Sequence, residues 1–252
     1  MGKSLKEEVY KFNHEKISLY GLLVLLCAML YNILTSKALD RRFLIYGFDA
    51  IEWIPLIIIT VGSAFFAMEY KNRMIMMMMY KSSSKLKIYL AKFLVIFFYS
   101  IVLALAAILL TFLFSFLFIG HKYDWITTVD GHSLIIDLLT NMLGAVIYSF
   151  FITGLSFMLC MLTRNNAVVV CIGIVLAFFG ADFSSALMQA FPSAVRIIKW
   201  NPLSMIFISQ QLTRTSLMST SHLLDSELII ANIAYGLIFA VLGYYLFKNR
   251  RV

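Results

Sequence analysis

The side chains of this chain best able to bind a metal or drive catalysis are four histidines, three cysteines and a run of methionines, and their spacing argues against both uses. His14, His121, His132 and His222 form no pair at ligand spacing, so neither zinc nor histidine-driven catalysis is supported. Met74, Met76, Met77, Met78 and Met79 carry soft thioethers that suit copper(I), yet consecutive residues on a helix point in different directions and cannot converge on one ion. Adaptable contact with a partner groove is the better use for them. Glu7-Glu8 has the form of the paired glutamates of intramembrane CAAX-type proteases, but it precedes every apolar run and lacks the following arginine. It reads as a solvated face. Gly2-Lys3-Ser4 copies the end of a phosphate loop without the upstream glycine or strand that would aim N–H groups at a phosphate. No catalytic residue, metal site or cofactor is expected in this chain.

The residues left over are polar groups within apolar surroundings. Asp182 stands just past the apolar run from Ala167, about 24 Å along it, which is near the far side of a hydrocarbon core of about 30 Å. It reads either as an interface acid facing water or as an intramembrane functional acid. Asn141 and Asn232 could bond between helices.

The elements that carry these groups follow from composition. Of 252 residues, 62% are apolar and 13% charged, far from the balance of a soluble domain, so the chain is an all-α polytopic membrane protein. Five runs reach or approach the length of a spanning helix: 17–35, 93–119, 138–162, 167–181 and 228–247. A sixth, 50–70, becomes long enough when Glu52 and Glu69 fall at its two interfaces, with Pro55 in its first turn. The first run is too long for a secretory signal core, and position 6 is lysine, which excludes myristoylation of Gly2. Cys27, Cys160 and Cys171 all lie in apolar runs, so no disulfide framework is implied.

Charge predicts orientation. With both termini cytoplasmic, 14 Lys/Arg lie inside and seven outside, while acids divide four inside and nine outside. The excess of Lys/Arg inside satisfies the positive-inside rule, and it accounts for the basic net charge without any nucleic-acid partner. Trp53, Trp125 and Trp200 then form an outer aromatic belt.

Residues 1–16 place Leu5, Val9 and Phe12 at helical spacing, which predicts an amphipathic helix in the inner interface, with a solvated tail as the alternative. Residues 17–252 form the six-helix domain, and Gly21 could bend the elbow at its start. Thr163-Arg164-Asn165-Asn166 is so short that the fourth and fifth spans should pair tightly. Gly173, Ala177 and Ala181 recur every four residues, a register for close packing, though it could also be filler. Residues 191–225, broken by Pro192 and Pro202, should form short helices dipping into the outer interface. Phe112, Phe114, Phe116 and Phe118 alternate by two and would divide between opposite faces of a helix.

Between Glu69 and Lys92 six basic residues face one acid, more chain than a turn needs. Together with Glu69-Tyr70-Lys71-Asn72, Ser84-Lys85-Leu86-Lys87 and the turn Trp200-Asn201-Pro202-Leu203, this pattern resembles ABC-2-type ABC transporter permeases over the whole chain. The resemblance implies that 69–92 holds a coupling helix docking on a separate ABC ATPase. In this reading Met74, Met76 and Met77 supply apolar contact, and Glu69, Tyr70, Lys71, Arg73, Lys85 and Lys87 orient it. The alternative is that these charges only set topology. Ser82-Ser83-Ser84 departs from the proline-containing turn of many relatives. ATP and magnesium would belong to the partner subunit. A second permease copy or homologue would complete the pore in the plasma membrane, with membrane lipid around it and substrate at the interface of the first, second and fifth spans. Small size and the lack of a fused ATPase are similar to Gram-positive permeases for peptide export and lantibiotic immunity, those of phenol-soluble modulin exporters included. These imply amphipathic peptide substrates. Sodium, drug or lipid-linked export and ATP-independent immunity are the alternatives.

Overall fold

The computed structural model describes residues 2–36, 40–71, 85–120, 122–126, 128–129, 132–163 and 165–249. Within them the fold is all-α, with six helices long and apolar enough to cross a membrane. A helix α1 (Gly2–His14) precedes the first long helix α2 (Ile17–Thr35), and a short α3 (Arg41–Ile45) precedes α4 (Ala50–Lys71). Then come α5 (Lys85–Phe114), prolonged by a π-helical turn over Ser115–Ile119, α6 (Leu134–Thr163) and α7 (Asn166–Ala190). Three one-turn helices, α8 (Val195–Ile198), α9 (Ile208–Gln211) and α10 (Met218–Ser221), alternate with 3-10 turns before the last long helix α11 (Asp225–Lys248). The only strands among the described residues are Thr128–Val129 and His132–Ser133, a two-residue antiparallel pair beside α6.

Two ends of the bundle follow from this order. The base carries α1, the ends of α4 and α5 and the α6–α7 turn; the cap carries α3, the strand pair and 191–224. Trp53, Trp125 and Trp200 all lie toward the cap.

Helix α6 is the axis. It packs against α4, α5, α7, α9 and α11, and two thirds of its most apolar stretch is buried, against 28% for α2 and α11. In lipid the hydrophobic effect does not draw helices together, so close packing at small residues must do so. The α6–α11 seam shows how. A Cβ on Gly154 would stand 2.5 Å from the Gly236 carbonyl oxygen, and one on Gly243 would stand 3.2 Å from the Met158 Cα. Only glycine allows that approach. Hydroxyls within the helices return to their own backbone: Thr111 to Ala107, Ser149 to Ala145 and Thr153 to Ser149, each at 2.7 Å. This satisfies them where no water can. Ser156 reaches across to the Ile59 carbonyl at 3.1 Å and joins α6 to α4.

Several local expectations change. The third span begins at Lys85 rather than Phe93, so the second half of the basic run is the first two turns of a membrane helix. The fifth runs to Ala190 rather than Ala181, because the apolar face continues through Leu187 and Met188 beyond the single acid. Pro55 is the sixth residue of α4, in the second turn, and so deprives the Ile51 carbonyl of its helical donor. The elbow between α1 and α2 turns at Lys16, whose φ is 56°, while Gly21 is the seat of the Tyr99 hydroxyl. Helix α7 does follow α6 after a tight turn capped by Asn165, which accepts from the Ala167 N–H at 3.0 Å. It lays its main face on α4 and on Pro202–Phe207 instead of α6. Of the small-residue stripe, Gly173 packs on Ile59, where an added Cβ would stand 2.6 Å from the isoleucine side chain. Cys27 and Cys171 are exposed on the apolar exterior, and only Cys160 is buried.

Candidate functional site

At the base, a charge is buried. Glu8 on α1 and Lys92 on α5 are 3% and 0% exposed and meet at 2.6 Å, with Lys11 on the same carboxylate at 3.0 Å. The Lys92 ammonium also lies 4.1 Å from the centre of the Phe65 ring on α4. One cation thus ties its own helix, α5, to α1 and α4. The reading of Glu7-Glu8 as a solvated face fails for Glu8, because α1 turns Glu8 and Phe12 inward and leaves Val9 42% exposed. Phe12 sits edge-on to Phe65 and Tyr99, and the Tyr99 hydroxyl donates to the Ser18 carbonyl at 2.6 Å. Taking two charges out of water costs several kcal/mol per ion, which a short contact with further partners offsets. Helix α1 is therefore held in one place relative to α4 and α5.

Deeper in the base, rings from four helices interlock. Phe66 of α4 stands edge-on to Phe157 of α6 at 4.9 Å and to Phe247 of α11 at 5.7 Å, and Tyr89 of α5 packs on all three. The Tyr89 hydroxyl is buried against Gly243, with no hydrogen-bond partner among the described residues. Displacement of either α4 or α5 at its base end must move α6 and α11 through these rings, because interiors this dense do not deform freely.

The residues expected to couple to a partner divide. Glu69, Tyr70 and Lys71 form the last turn of α4, and Lys85 and Lys87 lie in the first turn of α5. Arg73, Met74, Met76 and Met77 lie outside the described residues. Lys85 donates to the Lys248 carbonyl at 3.1 Å, placing a cation at the C-terminal end of α11, where the helix dipole favours it. Lys87 is exposed. The base thus presents the two helix ends that flank 72–84, with α1 pinned against α5 beside them.

The cap is held mostly by amides and hydroxyls, beside two longer ion pairs, Arg41–Asp137 at 3.6 Å and Lys199–Glu227 at 3.7 Å. Asn201 accepts from the N–H groups of Leu203 and Ser204 at 2.7 and 3.0 Å and donates to the Ser184 hydroxyl and the Ile198 carbonyl. Gln211, fully buried, donates to the Leu223 carbonyl and the Asp225 carboxylate and accepts from Ser221 at 2.6 Å. Asn141 and Asn232 do bond across elements, to backbone carbonyls at Ile45 and Met205. Phe48 and Asp49 hold left-handed backbone, φ 50° and 64°, at the entry to α4, and the Phe48 carbonyl accepts from Asn32. Asp182, eight residues before the end of α7, opens onto a cleft of about 380 Å³ between α4, α7 and 206–220. A second, almost wholly apolar crevice of about 280 Å³ runs between α6, α7 and α11 beneath Pro202 and Leu203.

Sequence reasoning misread Glu8 as solvated and gave no tertiary role to Lys92, Tyr89 or Gln211. Glu8 stands three residues after Leu5 and four before Phe12, a spacing that puts all three on one helix face and was the available signal.

No curated protein matches the chain. The family described as ABC-2 family transporter protein matches residues 4–180, from α1 through most of α7, and so includes both members of the Glu8–Lys92 pair and both helix ends around 72–84. With six membrane-length helices, a clamped base and a match over more than half its length, the chain belongs to the ABC-2 transporter family and is a multi-pass membrane permease component whose ATPase is a partner subunit.

Proposed function

We propose that this chain is the permease subunit of an ABC exporter for amphipathic peptides, with both termini cytoplasmic. It works beside a second copy or a homologous permease and two separate ATPase subunits. The observation that carries this reading is the base, where α1 and the helices flanking 72–84 are locked by Glu8, Lys92 and Phe65 into one unit that a docked ATPase can push. Through the rings of Phe66, Tyr89, Phe157 and Phe247 that push reaches α6 and α11. Met74, Met76 and Met77 supply apolar contact to the ATPase groove, and Glu69, Tyr70, Lys71, Arg73, Lys85 and Lys87 orient it. ATP and magnesium act in the partner, and this chain contributes no catalytic residue. The peptide substrate is supported by the exposed apolar faces of α2 and α7 and by the apolar crevice under Pro202, surfaces that receive apolar side chains and offer an inorganic ion nothing.

The test is purification of the tagged full chain from its native membrane, followed by reconstitution. A stoichiometric ATPase partner and ATP hydrolysis stimulated by an amphipathic helical peptide are the expected results. Stimulation by sodium alone would replace peptide with ion export, and peptide protection in cells lacking every candidate ATPase would remove the ABC mechanism. Orientation is tested separately: Ser82→Cys and Thr128→Cys in a cysteine-free chain should label from opposite sides of the membrane.

A further inference from the structure

Two cavities of different character meet at one side chain. The cap cleft of about 380 Å³ lies between α4, α7 and 206–220, and the apolar crevice of about 280 Å³ lies between α6, α7 and α11. Among the described lining residues Tyr148 alone belongs to both. Helix α7 runs along the two cavities, with Ala177, Ala181 and Ser185 bordering the cleft and Ile172, Leu176 and Gly180 bordering the crevice. Tyr148, on α6, therefore stands between them beneath α7. It is 5% exposed, and its ring stacks on Phe151 at 5.6 Å with the planes 20° apart, which holds it across the gap.

The crevice is vacant where α7 crosses it. Gly180 is buried, yet a Cβ added there would meet no atom of the described residues within 4 Å, whereas one on Gly173 of the same helix would run into Ile59. Protein interiors pack closely, so room for a side chain inside a bundle calls for an occupant. Water gains nothing there, since the walls are almost wholly apolar. Ile172, Leu176 and Phe239 are only half-buried, which leaves the crevice open toward the apolar exterior. The cleft, by contrast, has Ser185, Ser209 and Gln210 in its lining. Helix α7 is also the least buried of the six spans, with 22% of its most apolar stretch covered.

We propose that Tyr148 is the partition in a transverse route from the crevice to the cleft, and that the apolar side of an exported amphiphile passes along it when this ring turns aside. A change from apolar to polar walls suits a molecule carrying both kinds of surface. The crevice offers a bare ion no charged group. What travels rests on the peptide-export reading; the partition itself does not.

The experiment uses the full cysteine-free chain in nanodiscs, where a charged methanethiosulfonate reaches water on both faces and does not enter hydrocarbon. Ala181→Cys, on the cleft side, should react readily, and Gly180→Cys, on the crevice side, should stay protected. Adding Tyr148→Ala or Tyr148→Leu should speed the reaction of Gly180→Cys at least about tenfold, because a thiol reached by water ionises. Ala181→Cys should keep its rate, which verifies an intact cleft, and Tyr148→Phe, which keeps the ring, should leave Gly180→Cys protected. Equal reactivity of the two cysteines in the parent overturns the partition. So does the absence of acceleration in a Tyr148 variant whose cleft is intact, and Tyr148→Leu decides this where Tyr148→Ala does not fold. Passage is read separately, in proteoliposomes containing the ATPase partner. Gly180→Leu places its side chain in the vacant space, so the unfolding midpoint should hold while export of an amphipathic helical peptide falls to background. Export at the parental rate overturns the route. A parent that exports no peptide contradicts the peptide reading instead, and the labelling rates still decide the partition.

Discussion

The two ends of this bundle are fastened by different chemistry. The base uses a buried carboxylate and ammonium 2.6 Å apart, with interlocked rings behind them, to join α1, α4 and α5. The cap relies mostly on amides and hydroxyls, among them Asn201, Gln211, Ser184 and Ser221, with longer, partly exposed ion pairs at Arg41–Asp137 and Lys199–Glu227, and leaves a cleft open beside them. A buried ion pair tolerates no partial loosening, since separating its members strands a charge. A network of neutral bonds can exchange partners one at a time, each worth about 1 kcal/mol. The base is fastened as a body, whereas most bonds of the cap can be exchanged singly, a division that fits the proposed machine driven from one end and opened at the other.

The contrast breaks first at Glu8. Replacing it with alanine leaves Lys92 buried beside Phe65, and a loss of about 3–5 kcal/mol is expected, read as a large fall in the unfolding midpoint of the purified chain. Glu8→Leu with Lys92→Met should recover most of it, since an apolar pair of similar volume needs no partner. A double variant as unstable as the single one would show that the pair is not the fastening. Next in size is the seam between α6 and α11. Gly154→Ala forces a Cβ against the Gly236 carbonyl oxygen, and about 1–3 kcal/mol should be lost, with unchanged stability showing that the seam is loose. The smallest effect belongs to the cap: Asn201→Ala removes the cap of the 202–207 turn at a cost of about 0.5–2 kcal/mol. Hydrogen exchange should then quicken over 198–212 and stay unchanged in α1.

What the sequence disclosed follows the same division. The six spans are legible because a helix must hide about 20 residues from water in the membrane core, and that requirement is written locally. The breaks at Pro192 and Pro202 are legible for a similar reason, since proline acts on its own backbone. Glu8 was misread because its partner lies 84 residues away, and a carboxylate on a short, weakly apolar helix looks solvated until that partner is known. The extent of α7 was underestimated because one acid, Asp182, ends an apolar window without ending a helix. The tertiary partners of Gln211 and Asn201 depend on where the 3-10 turns fold back, which no local pattern encodes.

The central claim is that the base receives force from an ATPase docked on the segment between α4 and α5. Its most direct test is the stoichiometry of ATPase co-purified with the Met76→Asp/Met77→Asp variant, compared with the parent chain and normalised to the amount inserted in membranes. Every Lys and Arg is retained in that variant, so insertion should be normal, whereas carboxylates carried into an apolar contact should abolish association and export together. A fully inserted variant that retains the parental ATPase stoichiometry and transport rate would contradict the claim.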